Sequence, residues 1–110
     1  MATLDAAEEL RSIEQSIQAL LEGFVFSPND AATWASITDS ISAYLSRLWE
    51  QRRLMGETAS DAFTVACGLG STMTAQDIID GNMIVQVTLQ LIRPGEHTDL
   101  SFTQAMSAGS

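Results

Sequence analysis

The side chains with the strongest intrinsic reactivity are a single cysteine, Cys67, and a single histidine, His97. A nucleophile needs a base within hydrogen-bonding reach, and nothing in the sequence pattern ties a thiol or hydroxyl to this histidine. One cysteine and one histidine also fall short of a zinc-ligand set. The acidic residues are scattered over predicted helix faces and caps, without a close pair suited to acid–base catalysis. The sequence therefore predicts no enzyme activity, no cofactor and no metal.

Two short motifs raise the question of phosphate or cofactor binding. Gly68-Leu-Gly70 has the glycines of a phosphate-binding loop but lacks the lysine that should follow, so it is interpreted as a turn. Asp39-Ser40-Ile41 resembles the Asp-Ser-Leu site of acyl carrier proteins, whose serine carries a phosphopantetheine arm. That serine opens a helix in carriers, whereas Ser40 lies inside a long predicted helix. Neither motif is therefore assigned to a ligand.

The charge of the chain limits its partners. The 110 residues carry five basic and fourteen acidic side chains, for a net charge of −9. Such a surface repels phosphates and anionic lipids, which argues against nucleic acid and membrane partners and favours a basic protein surface. Cys67 cannot form an internal disulfide, and the acidic amino terminus does not resemble a signal peptide. These features predict a soluble protein of a reducing cytoplasm.

The longest helical pattern covers residues 29–53 and is expected to be the scaffold of a single domain, residues 1–110. Asn29 and Asp30 are suitable caps for its first turn. A second amphipathic helix is predicted over residues 4–22, and Gly23 is a suitable stop. Apolar side chains recur at spacings of three and four along the long helix, and these are its predicted core: Trp34, Ile37, Ile41, Leu45, Leu48 and Trp49.

The segments after each helix are predicted from local signals. Phe24 to Phe26 read as a short extended link, and Gly56 is expected to cap the long helix, with a loop after it. Residues 63–67 are a β-type run. Residues 74–80 predict a short helix, with a capping box formed by Thr74 and Asp77 and a glycine stop at position 81.

From residue 82 the side-chain pattern has a period of two, which predicts strands. Residues 82–92 form the longest strand pattern, residues 93–96 break it with proline and glycine, and residues 98–106 form a last strand after a hairpin. The predicted class is α+β: two amphipathic helices and one short helix on one face of a small antiparallel sheet, with extended terminal arms. The last strand, with the tail to residue 110, has no lysine, proline or glycine guard over residues 98–106. Its edge is expected either to be exposed to another chain or to be covered by the first helix or a loop.

Taken together, the segments resemble the carboxy-terminal domain of tail sheath proteins from contractile phages and phage-tail-like injection particles. The resemblance covers residues 12–107, and it rests on the order of many weak motifs. They are Phe26-Ser-Pro-Asn29, Trp34 with Ile37, Tyr44-Leu45, Leu48-Trp49, Gly56, Asp61-Ala-Phe63, Thr72-Met-Thr-Ala-Gln-Asp77-Ile78, Gly81, the strand around Val85, Arg93-Pro94 with Glu96, and Leu100, Phe102 and Gln104. His97 stands where the family usually has an aromatic or aliphatic residue.

This resemblance implies a structural subunit that polymerises around an inner tube, exchanges strands with neighbours and contracts to drive the tube into a target. It also implies assembly in the bacterial cytoplasm, with other sheath subunits and the tube protein as partners. The alternative is a small acidic adaptor, cap or sheath initiator of the same particle. Sheath subunits are normally several times longer, so an excised domain, a split subunit or a short relative is expected.

The resemblance further implies which strand residues meet a neighbour. Deleting residues 100–110 is expected to abolish assembly while leaving a folded domain. The expected donor strand uses Leu100, Phe102, Gln104 and Met106. The expected acceptor sheet uses Val85, Val87, Leu89 and Leu91.

Overall fold

The computed structural model describes residues 6–90 and 97–106, and side chains from residue 8 onward. The described residues form an antiparallel sheet of three strands with helices packed against it, which confirms the predicted α+β class. The turn predicted at residues 93–96, residues 1–5, and the part of the predicted carboxy-terminal arm after Met106 lie outside the described residues. The elements are α1 (Ala6–Glu22), α2 (Ala31–Glu50), α3 (Ala59–Ala62), β1 (Phe63–Ala66), α4 (Ala75–Ile79), β2 (Asn82–Leu89) and β3 (Thr98–Ala105).

The long helix α2 is shorter at both ends than its sequence pattern predicts. Asp30 has extended backbone angles and caps the helix, because its carboxylate accepts a hydrogen bond from the amide of Thr33 at 3.1 Å. The helix ends at Glu50, and Arg52 adopts the left-handed conformation that stops it, with φ of 63°. The prediction that Gly56 caps this helix is therefore wrong.

The segment after α1 is also not the extended link that was predicted. A series of short-range hydrogen bonds folds it into consecutive turns, including Phe24 to the carbonyl of Leu21 at 2.9 Å and Ser27 to the carbonyl of Phe24 at 2.9 Å. These turns satisfy carbonyls at the end of the helix, which an extended chain would leave without partners. As a result, Phe26 lies on the surface with 78% of its area exposed.

Of the two short helices, the sequence predicted α4 but not α3. The capping box of α4 is present as predicted, with Thr74 and Asp77 exchanging side-chain to backbone hydrogen bonds, and Gly81 follows with φ of 81°. In contrast, α3 occupies a segment that was predicted to be a loop. Thr58 caps it by accepting a hydrogen bond from the amide of Asp61 at 3.3 Å.

Strand β2 is the centre of the sheet, because it pairs antiparallel with β1 on one side and with β3 on the other. Its ladder ends at Leu89, earlier than the predicted strand, and residues 91 and 92 lie outside the described residues. Buried Gln90 instead joins the loops: its amide donates to the carbonyl of Ala62 at 2.9 Å, and its carbonyl accepts from Met55 at 2.8 Å. Its side-chain amide also donates to the carbonyls of Met55 and Asp61.

The core lies between the inner face of the sheet and helices α1 and α2. Fully buried side chains come from both helices and from β2: Ile13, Ile17, Ile37, Ile41, Leu45, Met83, Val85, Val87 and Leu89. Leu48 is also buried, whereas Trp34 and Trp49 are half-buried at the border of the core.

Both tryptophans of α2 use their indole N–H groups to fix a neighbouring loop. Trp34 donates to the side-chain oxygen of Asn29 at 2.7 Å, and Asn29 in turn donates to the carbonyl of Asn82 at 3.0 Å. Trp49 donates to the carbonyl of Gly56 at 2.9 Å. The two ends of α2 are therefore joined to the loops that lie beside opposite ends of β2.

Gly56 provides a test of this packing. A Cβ atom placed there would lie 2.8 Å from the backbone nitrogen of Ala62, and the glycine has φ of 150°. We expect Gly56→Ala to lower the free energy of unfolding by about 2–4 kcal/mol, because both the contact and the backbone angle oppose a side chain. Urea denaturation followed by tryptophan fluorescence measures this loss.

Gly70→Ala is the matched control. Gly70 also has positive φ, at 86°, but nothing lies within 4 Å of an added Cβ. We expect a loss of only about 1 kcal/mol there, from the backbone angle alone. Equal losses at the two positions would contradict a steric role for the contact between Gly56 and Ala62.

Candidate strand-addition surface

The outer side of β3 is an open sheet edge in the described structure, because β3 pairs only with β2. The amide of Met106 donates to the carbonyl of Gly81 at 2.7 Å, on the β2 side. Backbone groups of successive residues in an antiparallel strand point alternately to its two sides. The amides of Ser101, Thr103 and Ala105 therefore face the open edge.

The inward side chains of β3 belong to the chain's own core. Leu100, Phe102 and Met106 are 9%, 6% and 5% exposed, respectively. Gln104 is half-buried, and its amide donates to the carbonyl of Leu21 at 2.6 Å and to the sulfur of Met106 at 3.6 Å. Donation of these four side chains to a neighbour would require β3 to leave its own sheet, and the donor role of this strand stays a prediction.

The residues expected in the acceptor sheet lie on β2. Val85, Val87 and Leu89 point into the core, and the backbone of β2 is paired with β3 along its whole length and with β1 from Gln86 to Leu89. Leu91 lies outside the described residues. Strand β2 is therefore the central strand, and the two edges of the described sheet are those of β1 and β3.

A groove runs alongside this edge between β3 and α1, with a volume of about 310 Å³. Its helix side is formed by Gln18, Leu21 and Glu22, and its strand side by residues 101–104. The groove residues of α1 and the edge-facing residues of β3 were not among the predicted site residues. Alternation along β3 could have identified Ser101 and Thr103, but the approach of α1 is a tertiary feature without a local signal.

The second sheet edge is smaller. Strand β1 has only four residues, compared with eight in β3. Helices α2 and α3 both contact β1. The edge of β3 is therefore the longer of the two surfaces to which another strand could add.

The residues with reactive side chains are not brought together. Cys67 is half-buried just after β1, and His97 is exposed just before β3. Ser40 lies inside α2, and no group of three potential metal-ligating residues occurs in the described ranges. No helix in those ranges is long and apolar enough to cross a bilayer.

The turn with the paired glycines is closed by its own hydrogen bonds. The carbonyl of Gly68 accepts from the amides of Thr72 and Met73 at 3.0 and 3.1 Å, and its amide donates to the hydroxyl of Thr72 at 3.1 Å. The same hydroxyl donates to the carbonyl of Ile84 at 2.6 Å. These hydrogen bonds fix the turn against β2, and the amide of Gly68 already has a hydrogen-bond acceptor within the turn.

Solved structures of contractile particles contain chains similar to this one. A chain of the anti-feeding prophage baseplate, 6-fold symmetrised, is 42% identical with a TM-score of 0.72, over 86% of this chain and 26% of that chain. A chain of the PVC sheath complex, an extracellular contractile injection system in its contracted state, is 42% identical with a TM-score of 0.71, over 84% and 26%. A chain of the anti-feeding prophage baseplate in the contracted state is 33% identical with a TM-score of 0.72, over 89% and 25%.

The chain matches a domain of contractile tail sheath proteins. It spans about a quarter of the length of the chains that it matches. No protein-family model matches the sequence, and a search of curated proteins gives no match. The similarity of fold and sequence confirms the resemblance that was inferred from the scattered motifs.

The burial of β3 changes the expected result of truncation. Deleting residues 100–110 removes three core side chains, and truncating buried leucine, methionine or phenylalanine to alanine costs about 2–5 kcal/mol each. This loss is comparable to the whole stability of a small domain, so we expect the truncated chain to be unfolded. Circular dichroism and urea denaturation test this, with a chain that ends after Met106 as the control. A folded chain lacking residues 100–110 would contradict the core role of β3.

The thiol of Cys67 gives a second test. Burial raises its pKa from 9.0 to about 11. The folded state therefore holds this proton more tightly, which stabilises it below pH 9, and we expect this contribution to disappear as the pH rises from 9 to 11. At pH 8 the thiolate fraction is about 100-fold smaller than in the unfolded chain, so a disulfide reagent should react much faster in urea. Equal reaction rates in the folded and unfolded states would contradict a buried thiol.

Proposed function

We propose that this chain is a structural subunit of a contractile sheath. The observation that carries the proposal is the match to the PVC sheath complex, at 42% identity over 84% of this chain. In this proposal, copies of the chain or longer sheath subunits polymerise around an inner tube and contract to drive the tube into a target. Assembly takes place in the bacterial cytoplasm, and neither nucleic acid nor membrane is a partner.

Subunits are joined by strand addition at the outer edge of β3. Three features of the described structure support this proposal: the edge has no neighbouring strand, its outward amides belong to exposed residues, and the groove beside it is open. An added strand would bond to the backbone of β3 while its side chains contact the groove wall formed by α1. In this arrangement the edge of β3 accepts a strand, and its inward side chains stay in the core.

The charge of the chain supports a basic tube surface as the second partner. The net charge is −9, so docking on a basic strip of the inner tube would be favoured electrostatically and weakened by salt. Many identical buried interfaces along a polymer make contraction cooperative, so each subunit needs to contribute only a modest free-energy difference.

A specific observation favours a second candidate function. Two of the matching chains belong to baseplates of the anti-feeding prophage, one of them in the contracted state. The second candidate is therefore a small acidic adaptor, cap or sheath initiator that forms a closed oligomer at one end of the particle. Sedimentation separates the two functions, because an adaptor stops at a defined small size while a sheath subunit continues to grow with concentration.

Thr103→Pro tests strand addition. The amide of Thr103 faces the open edge and its side chain is exposed, so proline removes one outward donor and leaves the ladder with β2 and the core intact. We expect this variant to remain folded, as measured by circular dichroism, and to lose assembly in negative-stain electron micrographs and sedimentation.

Thr103→Val is the matched control, because it changes the same exposed side chain and keeps the amide. It should assemble like the unaltered chain. Normal assembly of a folded Thr103→Pro variant would exclude the β3 edge as the site of strand addition. If the unaltered chain forms only a closed oligomer, the adaptor function is favoured instead.

A further inference from the structure

The two ends of the long axis of α2 differ in their charged residues. The salt bridge between Arg53 and Glu9, with 2.5 Å between the atoms, places the start of α1 beside the end of α2. Every arginine of the described ranges lies toward this end, which we name the arginine end: Arg11, Arg47, Arg52 and Arg53.

The opposite end, beside the start of α2, is acidic. Asn29 binds the first residue of β2 and Thr72 binds Ile84, so the turns that contain them both lie at the start of β2. Residues 20–34 and 67–84 contain no lysine, arginine or histidine. They contain four acids: Glu22, Asp30, Asp77 and Asp80. We name this the acidic end.

The acidic end also carries the large apolar side chains that are most exposed in the described structure. Phe26, Ile79 and Leu69 are 78%, 74% and 58% exposed. All three lie in the segments that are fixed at the start of β2. Exposure of large apolar groups costs free energy in water, and such groups in one region typically mark an interaction site. Phe26 is flanked in sequence by the exposed acids Glu22 and Asp30.

The arginine end has a mainly apolar groove, and it carries acids as well as arginines, among them Glu9, Glu50 and Glu57. The volume of the groove is about 460 Å³, and it is lined by Trp49, Glu50, Arg52, Leu54, Met55 and Gly56. The walls include one aromatic ring and two apolar side chains, and Arg52 and Glu50 place one positive and one negative charge at the groove. Arg52 is exposed at the rim and has no ion-pair partner among the described residues, whereas Arg53 is held by Glu9.

We propose that the acidic end of one copy docks on the arginine-end groove of a second copy. Phe26 occupies the groove against Trp49 and Met55, and the acids that flank it lie near Arg52. An aromatic anchor in an apolar pocket with a charged rim is the usual composition of an energetically dominant contact. Two acidic ends cannot meet in this way, because their carboxylates would repel each other.

The consequence is a head-to-tail contact that is independent of strand addition. The two surfaces lie at opposite ends of α2, which is about 30 Å long at 1.5 Å per residue. A contact between two different surfaces leaves one of each free after every step, so it continues along a line. The open edge of β3 lies along the side of the domain and is not used by this contact.

Two variants that each disable one end provide the test. Phe26→Asp removes the anchor and adds a repelling charge, while Arg52→Glu reverses the charge at the groove rim. Thr103→Pro is included in every chain, so that strand addition does not contribute. We expect each variant to weaken association by at least about tenfold in sedimentation, as for loss of one dominant contact. Phe26→Leu, which keeps an apolar anchor, and Arg47→Glu, which makes the same charge change outside the groove, should associate like the parent chain.

Mixing the two disabled variants decides between this contact and a general loss of association. The Phe26→Asp chain keeps its groove and the Arg52→Glu chain keeps its anchor, so an equimolar mixture should form a one-to-one dimer that does not grow further. A mixture that remains monomeric, or a parent chain that does not associate at concentrations up to millimolar, would overturn the proposal. Loss of association on Arg47→Glu equal to that on Arg52→Glu would also overturn it.

Discussion

The backbone of β2 imposes the constraint on which the rest of the structure depends. This strand has eight residues, but β1 covers only positions 86–89 of the side that faces it. The remaining polar groups on that side need partners, because a buried carbonyl or amide without one costs about 1–3 kcal/mol. Asn29 bonds to the carbonyl of Asn82, and Thr72 bonds to that of Ile84. At the other end, the backbone of Gln90 bonds to Met55 and Ala62.

These hydrogen bonds explain why much of the fold could be predicted and why some of it could not. The helix α2, the strand β2 and the cap at Thr74 are determined by periodicity and local chemistry, which are visible in the sequence. The turns at 24–27 are not visible in this way, because an apolar triplet after a helix is also compatible with a strand. The turns form because the carbonyls at the end of α1 need hydrogen-bond donors. Helix α3 was missed because four residues are too few for a periodic signal, and it exists where Gln90 fixes the neighbouring carbonyls.

The candidate strand-addition surface was also predicted only in part. That β3 is a strand at the edge of the sheet followed from the alternation of Leu100 and Phe102 and from the hairpin. Which chain buries these side chains did not follow, since an apolar stripe can pack on its own domain or on a neighbour with equal benefit. The hydrogen bond from the side-chain amide of Gln104 to the carbonyl of Leu21, at 2.6 Å, and the burial of Met106 show that β3 packs on helix α1 of the same chain. This is a tertiary contact that cannot be predicted from a local stretch of sequence.

The side chains and the edge amides of β3 point in different directions. Its side chains at positions 100, 102 and 106 enter the core, whereas its odd-numbered amides point away from β2. A bond formed at the edge therefore adds backbone hydrogen bonds without disturbing the packing of the domain. Because β3 is tied to α1 through Gln104 and α1 is tied to the end of α2 through Glu9 and Arg53, a force applied at the edge passes into both long helices. In the proposed sheath, where subunits keep their neighbours while they move, this path would connect the edge to both ends of the domain, since a loosely attached strand would be pulled from its sheet before the body followed.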